Sequence, residues 1–200
     1  MRFLPTTRSS EYRQFSEYAQ VLSGELVSSM LMLGAVSVVA FWPTDLLIYS
    51  LDSPRLGDYA IMRAGLVTLI GIAYLVVNFS EALRRNSNVV LGFTVAAAAF
   101  WLSYQIGSNT DLTNPQDRSW LYSVYLMPFI TLILVVPPFQ RVINTLGFTA
   151  VVLLMLATPN PNIIVETFWS HTLLFLGFAC TMSIGIGHVL FALVQSAHRQ

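Results

Sequence analysis

Lysine is absent from the 200 residues, cysteine occurs once, and only 10% of the side chains are charged. Each scarcity excludes something. A water-soluble domain carries about 25% charged residues, so a chain this poor in charge does not cover itself with a hydrated surface. With Cys180 alone, no disulfide framework forms within one chain. Ten arginines balance ten acidic residues, and no basic block or basic–aromatic interleaving follows a phosphate backbone, so no nucleic-acid partner is expected. Catalytic signatures are missing as well: there is no Gly-rich phosphate loop, serine-nucleophile elbow, HExxH or closely spaced His/Cys set. Of the histidines His171, His188 and His198, the first two are separated by about 25 Å along one helix and cannot share a metal. No catalytic residue, metal or cofactor is expected.

What is present is apolarity, with 55% hydrophobic residues and a mean hydropathy of +0.65. A membrane-spanning helix needs about 20 mainly apolar residues. Six runs meet or approach that length: 22–42, 59–80, 89–106, 120–136, 142–158 and 171–194. Turn chemistry separates them, as in "WPTD" at 42–45, "SPRLGD" at 53–58, Pro137-Pro138 and "PNPN" at 159–162. The expected fold is all-α, a polytopic bundle of six transmembrane helices over 22–200, preceded by a polar segment at 1–21. That segment is too long and polar before the first apolar run to resemble a cleavable signal peptide. Within it, 11–24 has helical apolar spacing, which fits either an interfacial amphipathic helix or an extension of the first span.

Arginine placement sets the orientation, because short cytoplasmic loops hold the excess of positive charge. With the N-terminus inside, Arg2, Arg8, Arg13, Arg84, Arg85, Arg141 and Arg199 are inside, against Arg55, Arg63 and Arg118 outside. Both termini are therefore expected in the cytoplasm of a cell whose inner (plasma) membrane holds the chain. Tryptophans 42, 101, 120 and 169 fall near segment ends, as interfacial belts do.

Arg63 is the exception to that charge pattern, one turn inside the outer end of the second span. Its guanidinium either snorkels to the headgroups or pairs with a carboxylate, Asp45 at the exit of the first span or Asp58 in the preceding turn. Asp45 is the better placed, since spans joined by a short loop are usually neighbours. If Arg63 faces the bundle interior, it could receive an anionic or lipophilic ligand from the outer side. Tyr49, Tyr59, Tyr104, Trp120, Tyr122, Tyr125 and His171 would then supply amphipathic walls. Glu25 and Glu81, at the inner ends of the first two spans, read as solvated groups within reach of Arg84 and Arg85. Pro128, inside "YLMPFITL", should kink the fourth span.

The sixth run has two ladders of small residues, Gly177–Thr181–Gly185 and Ala179–Ser183–Gly187. Small residues at four-residue spacing let helix backbones approach closely, either within the bundle or as a homodimer seam. Downstream of Gly187 no glycine or proline stops the helix, which reads as an output helix continuing into the cytoplasm.

The lead-in "EYRQFSEYAQ", the stretch "FWPTDLLIYSLDSPRLGDYAIMRAGLVTLI" and the uninterrupted sixth helix together resemble the six-helix membrane domains of bacterial class III adenylate cyclases. They also resemble the related sensor regions of quorum-sensing histidine kinases. The resemblance implies a membrane anchor and sensor that dimerises and regulates a cytoplasmic output, foremost a nucleotide cyclase making cAMP. The cyclase's own metal-binding and nucleotide-selecting residues have no counterpart here, so any such activity would reside outside these residues. A small transporter or channel is the competing expectation, set back by the lack of internal repeats, paired broken helices and a midplane ionic site.

Overall fold

The computed structural model describes residues 10–48, 51, 53, 55–109, 124–159, 161–167 and 174–198. Among them the regular structure is all helical. Helix α1 (Ser10–Ala40) ends at a 3-10 turn (Trp42–Thr44), where Pro43 interrupts the α-helical hydrogen bonding, and α2 (Asp45–Ile48) follows. Next come α3 (Arg55–Phe79), the short α4 (Glu81–Arg85) and α5 (Ser87–Asn109). A 3-10 segment (Met127–Ile133) precedes α6 (Pro138–Ala157), α7 (Asn162–Thr167) and α8 (Gly177–His198).

Five helices are long and apolar enough to cross a membrane: those built on α1, α3, α5, α6 and α8. α1 is unbroken for 31 residues. The lead-in at 11–24 is thus an extension of the first span and not a separate helix. At 1.5 Å per residue α1 reaches about 46 Å, more than the roughly 30 Å hydrocarbon core, so part of it stands clear.

The fourth predicted span, 120–136, takes a different form where it is described. Past Tyr125 the chain turns, winds as 3-10 over 127–133 and runs extended through 134–137. Pro128 does not kink an α-helix here; it opens the 3-10 turn, and Leu134 is already extended at φ −79°, ψ 125°. The Pro137-Pro138 pair then forces the residues ahead of it out of the α region and starts α6 in its first turn.

Packing follows chain order, α1 on α3, α3 on α5, α5 on α6 and α6 on α8, with the 3-10 segment lodged between α6 and α8. Helical spacing turns Leu66, Ala73 and Val77 of α3 inward against Leu91, Val95 and Leu102 of α5, and these meet Val27 of α1 and Val152 and Leu156 of α6. Facing outward are Phe79, 86% exposed, Phe93, 75%, and Phe139, 74%. Exposed aromatic rings spread over several helices would drive association in water and suit a lipid surround.

α1 begins and α8 finishes at one end of the bundle. There the Phe15 ring meets Phe191 edge-on at 5.5 Å, and Tyr18 stacks on His198 at 5.0 Å. We refer to this as the terminal end; Asp45 lies at the opposite one.

Candidate functional site

Two buried arginines mark the two ends of the bundle. At the distal end, Asp45 opens α2 directly after the Pro43 turn, while Arg63 lies two turns into α3. Arg63 donates from Nε to Asp45 Oδ2 at 2.6 Å and from Nη2 to Oδ1 at 2.7 Å. A third donor, Nη1, lies 3.4 Å from the Val38 carbonyl of α1. This is the bidentate fork that guanidinium geometry favours. Both residues are buried, at 5% and 8% exposure, so the carboxylate replaces water that neither side chain reaches. Beside the pair, Trp101 of α5 donates from Nε1 to the Met62 carbonyl at 3.0 Å. Gly65 makes room for it, because a Cβ at that position would overlap the indole ring.

Among the residues expected around Arg63, Tyr59 and Tyr125 are buried while Tyr104 is half exposed and stacks on Phe100. Asp58 sits in the first turn of α3, partly exposed. Tyr49, Trp120, Tyr122 and His171 lie outside the described residues. A ligand approaching Arg63 would compete with Asp45 for the two N–H groups that form the fork.

The second arginine escaped the sequence reading, which counted Arg141 as a loop charge. It stands in the first turn of α6 and is 1% exposed. Among the described residues it has no carboxylate partner: Nη1 donates to the Thr131 carbonyl at 2.8 Å and Nη2 to the Leu134 carbonyl at 2.5 Å. The Thr131 carbonyl also accepts the Leu134 N–H at 3.2 Å; both acceptors lie where the 3-10 segment ends, and a cation there complements the negative end of the aligned peptide dipoles. The guanidinium lies flat against α8 at Gly187, whose missing side chain is the space it fills. Arg141 Nε and Asn144 Nδ2, one turn further along α6, are buried without a hydrogen-bond partner among the described residues.

Other side chains complete the fastening of this segment. Ser183 of α8 donates to the Pro128 carbonyl at 2.8 Å, which Thr131 Oγ1 also reaches at 2.8 Å. Ser23 of α1 accepts the Val135 N–H at 2.8 Å, and Thr131 and Thr145 share a hydroxyl contact at 3.1 Å. Irregular backbone inside an apolar bundle is stable only when its polar groups are satisfied by protein. Here α1 contributes Ser23, α8 Ser183, and α6 both Arg141 and Thr145. A sequence signal existed: an arginine in the first turn of a helix opposes the helix dipole, and no acidic residue lies between Asp117 and Glu166 to neutralise it.

The two ladders of α8 separate cleanly. Ala179, Ser183 and Gly187 are buried against the 3-10 segment and α6, whereas Gly177, Thr181 and Gly185 face outward, with open space beyond both glycines. Near the terminal end, Arg84 contacts Glu25 at 3.4 Å and Arg85 contacts Glu81 at 2.6 Å, both pairs exposed. Among the described residues no group of three or more His, Cys, Asp or Glu side chains is placed to hold a metal ion.

Comparison of the chain with protein-family models, curated proteins and solved structures gives no match.

Proposed function

We propose that this chain is a six-span membrane anchor and sensor, with both termini in the cytoplasm, that regulates a cytoplasmic output, foremost a nucleotide cyclase, through α8. The observation that carries this reading is the linkage along α8. One face of the helix holds the 3-10 segment through Ser183 and packs at Gly187 on Arg141, which itself bonds carbonyls at the end of that segment, and the far end of the helix closes on α1 through Phe191 and His198. A shift in the buried segment therefore has a stiff route to the terminal end, of the small-translation type that interfaces transmit. In this reading the outward Gly177–Thr181–Gly185 ladder is the homodimer seam, since only that ladder is open to a second copy.

The test is cAMP accumulation in cells expressing the native reading frame that contains these residues. An output that changes in Gly187→Ala at equal membrane abundance supports the proposal. Unchanged output, or a frame that holds no catalytic domain, overturns it.

A transporter or channel is the second reading, and the 3-10 and extended segment beside a buried arginine favours it, because broken segments line the sites of many transporters. Solute flux into liposomes carrying the purified chain would decide for it.

A further inference from the structure

The two buried arginines differ in what balances their charge. Arg63 meets the Asp45 carboxylate, whereas Arg141, buried more completely, donates to the neutral carbonyls of Thr131 and Leu134, and among the described residues no carboxylate answers it. A guanidinium does not give up its proton inside a protein, so Arg141 carries its charge into the bundle. A charge in that setting is costly unless an opposite one compensates it.

Two donors beside this charge indicate what compensates it. Nε and Nη2 share one edge of a guanidinium, the edge through which Arg63 holds both oxygens of Asp45. In Arg141 the Leu134 carbonyl takes Nη2 of that edge, while Nε is buried with no acceptor among the described residues. Asn144 Nδ2 is buried in the same condition. Asn144 stands three residues further along α6, a spacing that makes side chains neighbours on one helix face. Among the described residues no other buried side-chain nitrogen or oxygen lacks a partner. Both groups are donors, so what satisfies them is an acceptor.

We infer that Arg141 and Asn144 bind a small monovalent anion of the halide class, such as chloride, at the Nε edge of the guanidinium. Charge sets the valence: one negative charge neutralises the guanidinium, whereas a dianion would leave a net charge buried. Water would satisfy both donors and leave the arginine uncompensated. Packing sets the size, because the guanidinium is closed in by Gly187 on its face and by Thr131 at Nη1, which suits a single ion and not an organic acid. Leu134 borders this site and also lines a cavity of about 250 Å³ at the terminal end, open to one side. Among the described residues no carboxylate lines that cavity and its one formal charge is Arg85, so an anion approaching there meets no like charge. The inference depends on neither reading of the function.

The experiment uses the full chain in phosphatidylcholine nanodiscs prepared in sodium gluconate and dialysed to equilibrium against radiolabelled chloride. Wild type should bind chloride saturably, with displacement by bromide and not by sulfate. Asn144→Leu should weaken binding at least about tenfold through loss of one hydrogen bond to a charged group, and it leaves the bonds that fasten the 3-10 segment in place. Asn144→Asp gives Arg141 a carboxylate one turn away. It should abolish chloride binding while unfolding at a temperature no lower than wild type, a combination that misfolding cannot produce. No saturable binding by wild type is the result if water fills the site, and it overturns the inference. So does equal affinity in wild type and Asn144→Leu, chloride retained by Asn144→Asp, a lowered unfolding temperature in that variant, or displacement by sulfate as readily as by bromide.

Discussion

Removing either member of the Asp45–Arg63 fork takes from the other the opposite charge that it meets through two hydrogen bonds. Asp45→Ala and Arg63→Ala should each lower unfolding free energy by about 3–5 kcal/mol, the range for breaking buried ion pairs. Asp45→Leu combined with Arg63→Met should cost less than either single change, because no charge is then stranded. Reversible unfolding in mixed micelles measures all of these. The glycines of α8 provide a second test at this scale. A methyl at Gly187 would meet the Arg141 guanidinium, whereas one at Gly185 points into open space. In the dispersed single chain Gly185→Ala should be neutral or stabilising by up to about 1 kcal/mol from helix propensity, whereas in a dimer seamed on this ladder it would weaken association. Gly187→Ala should destabilise instead, and the sign difference in unfolding free energy is the readout.

At the scale of elements, the 3-10 segment is held by groups whose loss can be counted one at a time. Ser23→Ala strands the Val135 N–H, and Ser183→Ala removes one of two donors from the Pro128 carbonyl. Ser23→Ala should cost about 1–3 kcal/mol, the penalty for an unsatisfied buried group. Ser183→Ala should cost less, and hydrogen exchange at 127–137 would rank the two. This element also shows what the sequence could and could not disclose. Hydropathy at 120–136 registers apolar side chains and is blind to which carbonyl each N–H finds, so a 3-10 turn and an α-helix look alike. The partners that settle the matter lie 112 and 55 positions away in Ser23 and Ser183, beyond any local pattern. By contrast, Asp45 and Arg63 are 18 residues apart on adjoining helices, and their pairing could be anticipated from charge placement alone. The C-terminal ends of α3 and α6 fall within one residue of the apolar runs, whereas both helices begin four residues earlier than those runs, at Arg55 and Pro138, because polar residues can occupy a first helical turn. The burial of Arg141 was missed because its acceptors are uncharged backbone oxygens, which leave no mark in a charge map.

For the molecule as a whole, the outward ladder of α8 makes a geometric prediction about assembly. In a Cys180→Ala background, Thr181→Cys should form an intermolecular disulfide in native membranes, while Ser183→Cys should not, being shut inside its own chain. The reverse result, or no crosslink at either position, would remove the proposed seam. The fastening of the 3-10 segment carries a further consequence, for biosynthesis. Its carbonyls emerge from the ribosome before the helices that satisfy them, and Ser183 follows Pro128 by 55 residues. At about 5–20 residues per second that interval is roughly 3–11 s. Over that time the Pro128 carbonyl has only the Thr131 hydroxyl, three residues on, so the segment is expected to stay in the translocation channel or at the water interface and to enter lipid as its remaining partners arrive.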